Sequence, residues 1–278
     1  ASVNDIGVDR EGRLWIATDD GILLLQEMIS LERVIPAEDN PEREMARQFI
    51  RVISFDNSGN LWLGTNQGVF VLDTALNRVR PFHLPITESK NEEIWELLTD
   101  SGGKIWVGTY DNGIFVIGDS GKVEKHFSPD PANNRSRTVR SITPDKNGNY
   151  WIGTRGGLYI YNIRDGVINY YSHDERESRS LSGNSVLGIF HDSRGDTWIG
   201  TRTGINYLIH SKQLFRNYRA MPGDNHYLNS SEIWAFWVDE KGHIWIGTED
   251  GGVNIFDPVT KTFRSEEHTS ELQSRQSI

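Results

Sequence analysis

A chain of 278 residues with 36% hydrophobic and 24% charged residues has the makeup of an ordinary globular protein, one large domain or two small ones. Its net charge of −10 excludes a non-specific nucleic-acid surface, and no apolar run approaches the roughly 20 residues of a membrane span. With no Cys there are no disulfides and no thiolate metal ligands.

The chain opens at Ala1-Ser2-Val3 with neither an initiator Met nor a recognisable signal peptide, and is expected to be a fragment of a longer protein. Its first informative element is a turn from Asp9 to Gly12 that leads into a strand carrying Trp15. That element returns five times, with Trp at 62, 106, 151, 198 and 245, so the spacing is always 44 to 47 residues. Six residues before the six Trp stand Asp9, Asp56, Asp100, Asp145, Asp192 and Asp239. Three before stand Gly12, Gly59, Gly103, Gly148, Gly195 and Gly242. Two after come Ala17, Gly64, Gly108, Gly153, Gly200 and Gly247, and then a Thr in every copy, from Thr18 to Thr248. Self-similarity at this period is the signature of a repeat architecture.

Each position has a physical task. The Asp carboxylate accepts turn N–H groups while the Gly closes the hairpin at positive φ. The Trp offers a large flat surface to a neighbouring sheet, and the small residue two later leaves that sheet room to approach. Thr-x-x-Gly begins a second hairpin, followed by a third strand such as Val69 to Leu72 or Leu158 to Tyr161. A more ragged outer strand comes next, for example Val167 to Tyr171. Such a four-stranded sheet cannot bury both faces alone, so copies must stack. The expected fold is all-β: a β-propeller of six four-stranded antiparallel blades, complete in itself or an arc of a seven-bladed ring. It covers residues 1–264. Residues 265–278 lack the period, read like a translated sequencing adapter, and are expected to be a disordered, non-native tail.

At these positions the chain resembles the two-component regulator propeller repeat. Leu61-Trp62-Leu63-Gly64-Thr65, Thr197-Trp198-Ile199-Gly200-Thr201 and the lead-in Leu181-Ser182-Gly183-Asn184-Ser185-Val186 carry the resemblance. A WD40 pattern is absent, and the sialidase Asp-box has a shorter step from Asp to Gly. The resemblance implies an extracytoplasmic, periplasmic sensor region of a bacterial hybrid histidine kinase that controls polysaccharide use. It further implies dimerisation through the parent receptor, whose kinase and membrane segments are not found in this sequence.

The second-to-third hairpins and the blade connectors are expected to share one face, and their variable lengths suit a binding role. Five residues before each Asp lie Asn4, Arg51, Trp95, Arg140, Leu187 and Trp234. Strand alternation points them into the central channel, with Glu93, Ser185 and Glu232 two residues earlier. Tyr110, Arg155 and Arg202 are expected on the rim. Two Trp with Arg and Glu suit an oligosaccharide: rings stack on pyranose C–H faces while the charges bind hydroxyls or uronic carboxylates. The candidate ligand-binding residues are therefore Arg51, Glu93, Trp95, Tyr110, Arg140, Arg155, Arg202, Glu232 and Trp234. The competing account is that Trp95 and Trp234 only fill the channel and the charges pair among themselves.

Catalysis has little to rest on. Glu93 with Glu232 or Asp111 would be the carboxylate pair of a glycosidase or lyase, but a propeller carries many acids. The eight His show no metal-ligand spacing, and no G-x-S-x-G elbow is present, so neither cofactor nor metal is expected. A third class is a protein-interaction platform, with Trp237, Phe215 and Tyr227 as contact residues.

Overall fold

A computed structural model of the chain describes residues 2–26, 30–34, 48–86, 92–177, 179–209, 214–221 and 227–266. They form six four-stranded sheets. The first contains β1 (Val3–Val8), β2 (Leu14–Thr18), β3 (Gly21–Gln26) and β4 (Ser30–Arg33). The second contains β5 (Ile50–Phe55), β6 (Leu61–Thr65), β7 (Gly68–Asp73) and β8 (Arg78–Phe82). The third contains β9 (Ile94–Thr99), β10 (Ile105–Thr109), β11 (Ile114–Ile117) and β12 (Val123–Phe127). The fourth contains β13 (Val139–Pro144), β14 (Asn149–Thr154), β15 (Gly157–Asn162) and β16 (Gly166–Tyr171). The fifth contains β17 (Val186–His191), β18 (Thr197–Thr201), β19 (Gly204–Ile209) and β20 (Leu214–Tyr218). The sixth contains β21 (Ile233–Val238), β22 (Ile244–Thr248), β23 (Val253–Asp257) and β24 (Thr262–Glu266). In every sheet the strands lie in chain order. These are the six blades of a β-propeller, the class that the recurring Trp implies. Among the described residues no helix is long and apolar enough to cross a membrane.

Local chemistry explains why each copy folds alike. In the third blade the Asp100 carboxylate accepts the N–H groups of Gly102 and Lys104 at 2.9 and 3.0 Å, and Gly103 sits at φ +85°. The other carboxylate oxygen accepts the indole N–H of Trp106 at 2.9 Å. The same Asp–Trp bond is present in all six blades, between 2.8 and 3.3 Å. It ties the first hairpin to the second strand. Each repeat Thr then hydroxyl-bonds the carbonyl of the Gly that opens the third strand, as Thr65 does to Gly68 at 2.9 Å.

The chain divides into two compact units, residues 1–144 and 145–278. In the first, the inner strands β1, β5, β9 and β13 follow one another side by side. Their cores lie between blades: Trp15, Ile22 and Ala17 pack with Ile50, Ile53 and Leu63, and Trp62 with Ile94, Leu97 and Phe115. In the second unit, β17 lies between β14 and β21. Trp151 there packs with Val186, Ile189 and Ile199, while Trp198 packs with Ile233, Ile246 and Phe256. Edge-to-face pairs lock the contacts, Trp15 with Phe55 at 6.1 Å and Trp151 with His191 at 5.1 Å. The small residue after each Trp makes the approach possible. A Cβ on Gly64 would stand 2.5 Å from Val52 and 2.8 Å from Ile94 of the next blade.

Two blade faces differ from this pattern. On β1, Val8 holds the place of Phe55 and His191 and is 60% exposed. On β22, Trp245 is only half-buried, and the neighbouring Trp237 of β21 is 59% exposed. Phe215 lies where side chains are outside the described residues. Strand β24 runs to Glu266, with Ser265 and Glu266 paired in the ladder to Asn254 and Val253. Residues 267–278 lie outside the described residues.

Candidate ligand-binding site

Five of the six inner-strand positions singled out by the spacing share one backbone feature. The ladder between first and second strands skips a residue between Val3 and Asp5, Ile50 and Val52, Ile94 and Glu96, Val186 and Gly188, and Ile233 and Ala235. Asn4, Arg51, Trp95, Leu187 and Trp234 are therefore the bulged residues of their blades. A bulge removes a residue from regular pairing and re-aims its side chain, and such features recur beside functional sites. The residue before the bulge is apolar and buried in four of the five, Ile50, Ile94, Val186 and Ile233, while Val3 is exposed. So the scaffold is fixed while the bulged position varies.

The hairpin between second and third strands is anchored beside this row. The Tyr110 N–H donates to the Glu93 carbonyl at 2.9 Å, Arg202 to Ser185 at 3.2 Å and Glu249 to Glu232 at 3.1 Å. The connector and the hairpin thus share a side, as their variable lengths suggest.

In the first unit these elements bring five candidate residues together. The Arg51 guanidinium carbon lies 4.1 Å from the Trp95 ring centroid and that of Arg140 lies 4.7 Å from it. Trp95 also meets Tyr110, with centroids 5.9 Å apart and planes tilted by 36°. Arg51 donates through Nη2 to the Glu93 carboxylate and packs over Phe49 at 5.0 Å. Arg140 is 9% exposed, whereas Arg51, Glu93, Trp95 and Tyr110 are half-buried. Asn4 donates to the Ile50 carbonyl at 2.8 Å, so it ties β1 to β5.

In the second unit the Arg202 Nε lies 3.3 Å from a Glu232 carboxylate oxygen. Trp234 is half-buried beside it in sequence, Leu187 is buried, and Arg155 stands exposed on the turn between β14 and β15.

Sequence reasoning missed two carboxylates on the inner strands. Asp5 accepts the Ile53 N–H at 2.8 Å, and Glu96 accepts the N–H groups of Leu97 at 3.0 Å and Ile142 at 3.4 Å. Each acid thus bonds the backbone of the following inner strand. Burial, and then the nearby Asp5 charge, push Glu96 up to about 8; burial also raises Asp5. They stand one residue after the bulge, where the other blades carry Val52, Ser141, Gly188 and Ala235, so a charged residue among small ones was the available signal. Also missed were Asn206 and Asn254 on the third strands. Both are buried, and they bond the lead-in at Ser182 and at Asn229.

A profile of the two component regulator propeller family matches residues 45–67, 135–156 and 180–203. Each match runs across an inner strand to the Asp, the Trp and the Thr of one copy. Three of the six copies thus match two component regulator propeller repeats. The extracellular domain of BT3049 from B. thetaiotaomicron, described as a hybrid two component system, is 26% identical over 97% of the chain, with a TM-score of 0.74. The chain spans only 34% of that domain, about a third of its length. The extracellular domain of BT4673 from the same organism is 21% identical, with 94% of this chain and 41% of that one covered and a TM-score of 0.59. Virginiamycin B lyase from Staphylococcus aureus is 12% identical, with coverages of 96% and 84% and a TM-score of 0.69, and at that identity shares the fold alone. No curated protein sequence matches the chain. The chain thus shares its scaffold both with extracellular domains of signalling systems and with a lyase.

Proposed function

We propose that these repeats belong to the periplasmic sensor of a two-component receptor, bind an oligosaccharide on the connector side of their inner strands, and perform no catalysis themselves. The likeness to the BT3049 extracellular domain supports the sensing role. The observation that favours a sugar is the Arg51–Trp95–Arg140 stack beside Glu93 and Tyr110, with Arg51 and Trp95 raised on bulges of their inner strands. Guanidiniums ordered on an aromatic ring, with a carboxylate and a tyrosine beside them, offer hydrogen bonds to the hydroxyls of a sugar. Output through a histidine kinase, and pairing of two receptors, belong to the parent protein in this reading.

Calorimetric titration with a panel of oligosaccharides tests it. Saturable binding is expected, weakened about tenfold or more in Trp95→Ala with the fold intact. Unchanged binding in both Trp95→Ala and Trp234→Ala removes the site. A second reading, a platform for association between receptors, is favoured by the exposed Trp237. It predicts that Trp237→Ser shifts the oligomeric state while leaving sugar binding alone.

A further inference from the structure

We infer that the saccharide bound by the first unit carries an oxyanion, a carboxylate or a sulfate, which takes the Nε–Nη2 edge of Arg51 by displacing Glu93. The inference rests on the sensing role proposed above and adds the chemical class of ligand.

A guanidinium holds a planar or tetrahedral oxyanion best when two N–H groups on one edge bond it together. In Arg51 that edge is half used. Nη2 donates to the Glu93 oxygen Oε1, while Nε on the same edge is buried with no hydrogen-bond partner among the described residues. Native structures leave few buried donors unmade, and each calls for an explanation such as an incoming group. The edge is also fixed in direction. Arg51 is stacked at 4.1 Å on Trp95 and at 5.0 Å on Phe49, so its plane is ordered before a ligand arrives.

Arg140 adds a second cation on the same indole at 4.7 Å, in a place where little water reaches it. Two guanidiniums at one ring favour negative charge there, and Glu93 supplies some of it in this structure. An oxyanion arriving from the ligand replaces one anion with another. The charge around Arg51 is then conserved, and both donors of its edge are used. A neutral hydroxyl cannot make that exchange, because it bonds a guanidinium more weakly than the carboxylate it would have to displace. The Glu93 side chain can swing away without loosening the site, since its backbone carbonyl still accepts the Tyr110 N–H at 2.9 Å.

The probes are an oligogalacturonate tetrasaccharide with its carboxyl-reduced form, and a κ-carrageenan tetrasaccharide, whose only anionic groups are sulfates, with its desulfated form, titrated into the intact chain by calorimetry. At least one acidic probe is expected to bind tenfold or more tightly than its neutral counterpart, and which one does identifies carboxylate or sulfate. Glu93→Gln, which removes the resident acid, is expected to strengthen the acidic probe several-fold and leave the neutral one unchanged. Arg51→Gln is expected to abolish the preference, with thermal unfolding used to confirm the fold. Equal affinity for acidic and neutral forms overturns the oxyanion inference and leaves the sensing role standing. A preference that survives Arg51→Gln, or no gain in Glu93→Gln, overturns the assignment to this edge. Absence of binding by every probe, acidic or neutral, counts against the sugar reading itself.

Discussion

The indole N–H of Trp106 donates to the Asp100 carboxylate at 2.9 Å, and this bond spans the same six residues in every blade. It does two jobs with one carboxylate. One oxygen caps the turn, and the other fixes the ring that the next blade must cover. Where burial pushes the carboxyls of Asp9, Asp56, Asp145 and Asp239 up, the hydrogen bonds to them outweigh it and hold them below the usual range. In Asp100→Ala the buried indole donor and two turn N–H groups lose their acceptor at once. Chemical denaturation is expected to show a loss of roughly 2–4 kcal/mol. Trp106→Phe, which keeps the turn, is expected to cost less.

Blade stacking is tight against the glycine two residues after Trp62 and Trp198. Gly64→Ala would place a methyl 2.5 Å from Val52, and Gly200→Ala one 2.9 Å from the Ile233 carbonyl oxygen. Overpacking of this kind costs roughly 1–3 kcal/mol. At Gly247 the nearest atom is 3.4 Å away, ordinary contact. Gly247→Ala is expected to be close to neutral, and denaturation midpoints of the three variants compare them directly.

The same aromatic type has opposite weight in two places. Trp151 is buried against the His191 ring, so Trp151→Ala is expected to destabilise by roughly 3–5 kcal/mol. Trp237 is exposed, and Trp237→Ser is expected to leave stability within about 0.5 kcal/mol of the parent while reducing self-association. Thermal melts and light scattering on the two variants separate the effects.

The pH dependence has a definite sign at Glu96. Its carboxyl lies at an ordinary value near 4.5 when unfolded and at about 8 when folded, so the folded chain holds the proton more tightly. Its contribution to stability is therefore unpenalised at low pH and is lost as pH rises from about 4.5 to about 8. Glu96→Gln is always neutral. Relative to the parent it is expected to melt higher at pH 8.5 and within a degree or two at pH 4.5, each kcal/mol appearing as about 2–4 °C. His191, whose pKa burial lowers, acts in the opposite sense by losing stability as pH falls below its unfolded value toward its lower folded one, and it is common to both proteins.

The fold was legible because Trp, Gly and Thr recur under the same steric demands in every copy. The Asp–Trp bond was half legible: the constant step from Asp9 to Trp15 was plain, but the spacing alone does not say that the carboxylate reaches the indole. Strand alternation picked out Arg51, Trp95 and Arg140 without seeing the bulges that set five of the row apart, since a bulge is a property of pairing and leaves no mark in composition. The stacking of Arg51 and Arg140 on Trp95 was likewise invisible, because it joins residues from three blades. Glu96 was passed over since its meaning comes from burial against Asp5 and the Ile142 N–H.

The most direct test of the account is hydrogen–deuterium exchange of the intact chain with and without a bound oligosaccharide. The account predicts new protection in peptides covering Arg51, Glu93 to Glu96, Tyr110 and Arg140, with no change at the Asp-x-x-Gly turns. Protection confined to those turns, or to the outer strands, would contradict it.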